Sequence, residues 1–179
     1  MDEIISEILY SQEDIAQAVK EIGRQITEDY RGKKPLLVGI LKGSITFMAD
    51  LMRAIDIDCE IDFMVAQSYG NSATSSGVVQ IKKDLETDIE GRDVILIEDI
   101  LDTARTLRAV KETLKSRNPS SIKICTLLDK KVERSIEIKA DYKCFDIENQ
   151  FVVGYGLDYA QSYRCLPYIG ILKKEIYEK

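Results

Sequence analysis

The run Val94-Ile95-Leu96-Ile97, followed without a break by Glu98-Asp99, constrains the fold more than any other stretch of the chain. Four consecutive apolar residues show neither the alternation of a half-exposed strand nor helical spacing, and fit a short strand covered on both faces. Two adjacent carboxylates at its exit are costly unless they meet a metal, hydroxyls or a cation. The continuation Ile100-Leu101-Asp102-Thr103-Ala104-Arg105-Thr106-Leu107 places hydroxyls where a helix is predicted to begin, running from about Thr106 to Ser116. The unpaired N–H groups of a helix start make an anion site. Acids beside such a cradle suit a sugar phosphate. The same letters are equally consistent with two solvated acids and threonines that merely cap a helix.

Other segments repeat the strand-then-helix plan. Ser11-Gln12-Glu13-Asp14 has the form of a helix cap, with Ile15, Val19, Ile22 and Ile26 at helical spacing and Gly32 placed to end the helix. Pro35 to Leu41 is a continuous apolar run, and Lys42-Gly43-Ser44 then leads into an amphipathic stretch carrying Phe47, Leu51, Met52 and Ile55. Strands are predicted over Cys59–Ala66, Ile122–Leu128, Phe145–Ile147 and Phe151–Tyr155. Ser68 to Gly77 has no large apolar residue beyond Tyr69, and a loop of that length in a compact domain is usually functional or disordered. Alternating strands and helices with short apolar strands define an α/β domain around a central, mostly parallel sheet flanked by helices. Ligands of such sheets bind at the carboxyl ends of the strands.

Composition narrows the chemistry. At 179 residues the chain fits one domain. A net charge of −6 argues against a primary role on nucleic acid, where clustered Lys and Arg carry the binding. Histidine is absent, which removes Ser-His and Cys-His nucleophiles and leaves carboxylates, Lys, Arg, Tyr or a metal. Four widely spaced cysteines offer no C-x-x-C; Cys59, Cys125 and Cys144 read as reduced core residues. No apolar run approaches the ~20 residues of a membrane span. An acidic N-terminus without a signal-peptide plan leads to the expectation of a cytoplasmic protein.

The Glu98–Thr106 segment resembles the phosphoribosyl-pyrophosphate motif of the type I phosphoribosyltransferases: apolar strand, Glu-Asp, two apolar residues, Asp-Thr-Gly-x-Thr. Leu41-Lys42-Gly43-Ser44 is similar to that family's pyrophosphate loop, and Ser68-Tyr69-Gly70 to the start of its flexible loop. Phe151 to Tyr159 (FVVGYGLDY), with Tyr163-Arg164 and Leu166-Pro167-Tyr168, resembles the C-terminal hood of the hypoxanthine–guanine branch. The match runs in order from about Leu36 to Leu172. It implies a type I phosphoribosyltransferase fold over residues 1–179, with a core of about 36–130 and a small hood from about 1–12 and 140–179. Ala104 departs from the pattern, since the family usually has Gly there. With the other motif positions intact, the expectation is that the backbone at Ala104 is ordinary.

The resemblance also implies roles. The reaction would move ribose 5-phosphate from phosphoribosyl pyrophosphate to N9 of hypoxanthine or guanine, with xanthine a further candidate. Glu98 and Asp99 would bind the ribose hydroxyls directly or through Mg²⁺, and Asp102 would take the purine N7 proton as the catalytic base. Thr103, Ala104, Arg105 and Thr106 would hold the 5′-phosphate; Lys42, Gly43 and Arg164 would meet the leaving pyrophosphate. Lys130, Phe151, Val152 and Asp158 would form the purine side, with Asp158 also a ligand for a second Mg²⁺. The adjacent Lys131 competes with Lys130 for the base contact. Ser68 and Tyr69 would shield the reacting centre. A homodimer or homotetramer is expected, with neither nucleic acid nor membrane as partner. Two other readings compete: adenine or xanthine specificity, and a nucleotide-binding regulator built on the same fold.

Overall fold

Parity along the strands sorts the core into two layers. The computed structural model describes residues 4–68, 79–132 and 138–178. In chain order the elements are β1 (Ile5–Tyr10), α1 (Gln12–Asp29), β2 (Leu36–Leu41), α2 (Ile45–Ala54), β3 (Glu60–Ser68), β4 (Val79–Lys83), β5 (Asp93–Leu101), α3 (Arg105–Lys115), β6 (Ser121–Lys130), β7 (Tyr142–Ile147), β8 (Val152–Val153), β9 (Ile169–Leu172) and α4 (Lys174–Tyr177). Successive side chains of a strand point to opposite faces. Thus Leu37, Ile95 and Ile97 pack with Ile15, Ile22 and Ile26 of α1 and Phe47 and Leu51 of α2. Their neighbours Leu36, Val38, Val94 and Leu96 pack on the other side with Leu107, Val110 and Leu114 of α3. Leu36, Leu37, Ile95 and Leu96 are fully buried, each contributing about 1.5–3 kcal/mol over its exposed state.

The large sheet has the order β4-β3-β2-β5-β6-β7, and all its pairs are parallel except β3 with β4. The chain runs from β2 outward to β3 and β4, then returns to the other side of β2 for β5 and onward to β6 and β7. The reversal lies between β2 and β5, where open α/β sheets form their ligand crevice. A second, antiparallel sheet of order β1-β9-β8 joins the two ends of the chain.

Most predicted elements form, with shifted bounds. The cap at Ser11 is a full capping box: Ser11 Oγ accepts from the Asp14 amide at 3.1 Å, and Asp14 Oδ2 accepts from the Ser11 amide at 2.9 Å. α1 ends at Asp29, and Gly32 takes a positive φ of 76° in the turn that follows. α3 starts one residue earlier than predicted. The strand predicted over Phe151–Tyr155 is only Val152–Val153, because Gly154 and Gly156, at φ of 101° and 103°, turn the chain out of the ladder. β7 belongs to the large sheet, so the return to the small sheet begins after Ile147. β1, β4 and β9 are absent from the sequence reading; β1 has half-exposed and exposed positions and lacks the continuous apolar run that marks β2 and β5. The cysteines are free, with Cys125 buried and Cys59 and Cys144 half-buried.

Candidate active site

The ends of β2 and β5 bring the strand-end acids against a loop whose glycine leaves room for a carboxylate. A Cβ built on Gly43 would lie 1.6 Å from Asp99 Oδ2. Any other residue there would displace either the loop or the carboxylate. Glu98 and Asp99 are both half-buried. Burial, and then the neighbouring Asp99 charge, pushes the Glu98 carboxyl well above the usual range. Asp99 is also raised by burial, against hydrogen bonds and the Arg164 charge, which favour its ionised form. Two such acids are set to hold one proton or to meet a cation.

Around this pair a cavity of about 310 Å³ gathers Lys42, Gly43, Glu98, Asp99, Asp102, Thr103, Ala104, Arg105, Thr106, Asp158 and Arg164. Residues separated by more than a hundred positions thus meet at the sheet's switch point. No side chain caps the start of α3, and a helix start left without a protein cap is suited to an anion. A larger cavity of about 570 Å³ lies between α1, α2 and the 164–167 segment, but it holds none of the strand-end acids.

The expectation of ordinary backbone at Ala104 is overturned. Ala104 sits at φ 64°, ψ 3°, in the left-handed region where a Cβ meets the following carbonyl. The sharp exit from β5 into α3 demands it, for Ala104 is the residue at which the chain turns to start the helix. Its methyl is 6% exposed and joins the cluster with Leu101 and Leu107, which offsets part of the cost. Among the described non-glycine residues, positive φ occurs at Ala104, Asn118, Tyr155, Ala160, Gln161 and Tyr163. All but Asn118 lie in the two segments that frame the site, where such backbone is commonly concentrated.

The C-terminal segment closes the site over β2. A Cβ on Gly156 would fall 2.2 Å from the Gly43 carbonyl oxygen, so this turn lies directly on the Lys42-Gly43 loop. Tyr155 donates its hydroxyl to Asp50 Oδ2 of α2 at 2.5 Å. Arg164 donates to the Gly156 carbonyl at 2.7 Å and pairs with Asp158 Oδ1 at 2.8 Å. The other Asp158 oxygen accepts from the Gln161 amide at 2.7 Å. Asp158 is therefore both a turn-former and the counter-ion of Arg164. The Leu41–Lys42 peptide bond is cis.

Lys130 ends β6 and places Nζ 3.4 Å from Asp102 Oδ2, with its side chain 13% exposed. Lys131 turns outward to Glu148 at 2.8 Å. The two lysines thus face different surroundings, and only Lys130 faces a residue of the cavity. Phe151 is 36% exposed; its ring stacks on Tyr177 at a 4.8 Å centroid distance and meets Tyr159 edge-on at 5.6 Å. Val152 is buried and pairs with Ile171. Lys130, Phe151 and Val152 lie outside the lining of the 310 Å³ cavity. Ser68 is the last residue of β3, and Tyr69 lies outside the described residues.

Sequence reasoning missed Tyr155, Asp50 and Gln161, whose contacts cross between distant segments and leave no local spacing to detect. The positive-φ glycine at 156 beside the Asp158 turn was the nearest signal. Among the described residues no group of three or more His, Cys, Asp or Glu is placed to hold a metal. Glu98, Asp99 and Asp158 accordingly do not form one cage. Their donors are nonetheless all hard oxygens, and a divalent cation of the Mg²⁺ type is commonly held by one or two carboxylates with the rest supplied by substrate phosphates and water.

Strand-end acids, an uncapped helix start and two cations meet over the switch point, a combination whose chemistry suits a phosphorylated sugar. The chain belongs to the phosphoribosyl transferase domain family, whose model matches residues 6–160. It is 57% identical over 175 residues to a hypoxanthine-guanine phosphoribosyltransferase of Streptococcus agalactiae, covering 98% of this chain and 97% of that one. The identity is 55% to the protein of the same name in Streptococcus thermophilus, over 100% and 99% of the two chains. The crystal structure of a hypoxanthine phosphoribosyltransferase from Staphylococcus aureus superposes with a TM-score of 0.96 at 50% identity, covering 100% of this chain and 97% of that one.

Proposed function

We propose that the protein transfers the 5-phosphoribosyl group of phosphoribosyl pyrophosphate to N9 of hypoxanthine or guanine, forming IMP or GMP in purine salvage. The observation that carries this reading is the convergence of Glu98, Asp99, Asp102, the start of α3, Lys42 and Arg164 on one cavity. The bond from C1′ to the pyrophosphate oxygen breaks, the bond from N9 to C1′ forms, and the purine N7 proton passes to Asp102.

The sugar becomes cationic as the leaving group departs, and the carboxylates of Glu98 and Asp99 stabilise it while holding the ribose hydroxyls. The first turn of α3, with the hydroxyls of Thr103 and Thr106, holds the 5′-phosphate; Ala104 and Arg105 supply backbone to the same turn. Lys42, Gly43 and Arg164 receive the pyrophosphate, with the planar guanidinium suited to bidentate contact. Mg²⁺ held by Glu98, Asp99 or Asp158 together with substrate oxygens would neutralise phosphate charge. Lys130, with its inward placement, donates to the purine O6 and so favours 6-oxopurines over adenine, which presents a donor there. Phe151 stacks on the base, and the Val152 backbone meets its edge. Ser68 and Tyr69 shield the centre. The proposal includes action in the cytoplasm as a homodimer or homotetramer.

The test combines the protein with phosphoribosyl pyrophosphate, Mg²⁺ and each purine in turn, with pyrophosphate release as the readout. No release with hypoxanthine or guanine would sink the proposal. Asp102→Asn keeps substrate binding and lowers kcat by about 10²–10⁴, the usual contribution of a positioned general base. An unchanged kcat would remove Asp102 from that role.

A further inference from the structure

Lys42 and Arg164 lie on separate segments, yet one neutral side chain joins them. Gln161 Oε1 accepts from Lys42 Nζ at 3.3 Å and from Arg164 Nη2 at 3.2 Å. The backbone N–H of Gln161 donates to Asp158 Oδ2 at 2.7 Å, and Asp158 in turn pairs with Arg164 at 2.8 Å. The backbone of Gln161 is thereby fixed, at φ 68°, with the side chain directed at both cations. Two like charges close together repel, and long side chains lose entropy when ordered. A carboxylate at this position would hold the cations together but cancel charge that an anion needs. A carboxamide holds them and cancels none.

We infer that Gln161 is a positioning residue for the leaving group: its side-chain carbonyl oxygen holds Lys42 and Arg164 together as one site for a diphosphate. The inference rests on the proposed pyrophosphate role of those two residues and adds a third that contacts no reacting atom. Gln161→Met keeps the length of the side chain and removes the acceptor. Gln161→Glu keeps the acceptor and adds a negative charge. Both weaken diphosphate binding, the first because the cations separate, the second because their charge is spent on the protein.

The experiment measures inorganic pyrophosphate binding by calorimetry and KM for phosphoribosyl pyrophosphate and for hypoxanthine, in the wild type, both variants, Lys42→Met and the double variant Lys42→Met/Gln161→Met. Wild-type protein that fails to bind pyrophosphate would overturn the assignment of Lys42 and Arg164 themselves. If it binds, Gln161→Met is expected to raise the pyrophosphate Kd and the KM for phosphoribosyl pyrophosphate about five- to tenfold, as for loss of charge-assisted hydrogen bonds. The KM for hypoxanthine stays at the wild-type value. Gln161→Glu is expected to be at least as weak, and the Met substitution to add little once Lys42 is gone. Unchanged pyrophosphate affinity in Gln161→Met and Gln161→Glu overturns the inference. Equal losses for both substrates, or full additivity with Lys42→Met, overturn it too, since those outcomes mark a residue that only shapes the turn.

Discussion

Ala104 shows how one methyl group can be both misplaced and tolerated. Left-handed backbone costs an alanine about 1–2 kcal/mol relative to its ordinary state. Against this stand a buried methyl worth about 0.8 kcal/mol and the roughly 0.5–1 kcal/mol that glycine loses through its freer unfolded chain. Ala104→Gly is therefore expected to change unfolding free energy by less than about 1 kcal/mol, as measured by urea denaturation. Ala104→Val adds a branched Cβ to the same backbone and is expected to cost about 2 kcal/mol or more. A valine variant as stable as wild type would show that the turn relaxes. At Gly43 the cost falls on the neighbouring acid. With Asp99 Oδ2 1.6 Å from its would-be Cβ, Gly43→Ala forces the loop or the acid aside. A displacement of that order costs about 10²-fold in rate, to be read as kcat/KM for phosphoribosyl pyrophosphate.

At the scale of elements, β3 and the segment leading to β5 are tied by one buried carboxylate. Asp62 is 7% exposed and accepts from the amides of Phe63, Glu86 and Thr87 at 2.7, 2.9 and 2.9 Å. Burial alone would raise its pKa, but the amides of Thr87, Phe63 and Glu86 outweigh burial and hold it below the ordinary value. A carboxyl whose folded pKa is depressed stabilises the fold above its unfolded pKa and loses that contribution as pH falls through the folded one. Asp62→Asn is expected to cost about 2 kcal/mol at neutral pH. The gap to wild type should narrow below about pH 4, where an unperturbed Asp begins to protonate. A gap constant from pH 7 to pH 3 in denaturation midpoints would assign the stabilisation elsewhere.

For the whole molecule, the decisive event is the landing of residues 154–164 on a loop more than a hundred positions earlier. Gly156 rests on Gly43, and the Tyr155 hydroxyl is anchored to Asp50, so the two halves of the proposed pyrophosphate site are held in one frame. Tyr155→Phe removes the anchor while keeping the ring. It is expected to lower stability by about 1 kcal/mol and to raise the KM for phosphoribosyl pyrophosphate several-fold, with little change for hypoxanthine. Unchanged KM values would show that glycine packing alone seats the segment.

Much of this arrangement is visible in the order of residues. Continuous apolar runs at Leu36–Leu41 and Val94–Ile97 specify strands buried on both faces, because no polar position interrupts them; the Ser11–Asp14 box specifies where α1 begins. The VILIEDILDTARTL segment specifies acids beside a helix start, because both lie within one strand-to-helix turn. Local chemistry of this kind needs no partner to be recognised. The rest depends on contacts between segments far apart in sequence. The edge strand β1 gains its ladder only from β9, near the other end of the chain, and Gln161 gains its two cations only when the chain's last third folds over β2. The backbone at Ala104 was decided the same way. Alanine by itself favours the right-handed region, and only the angle between β5 and α3, fixed by packing Leu107, Val110 and Leu114 on the sheet, forces it into the left-handed one.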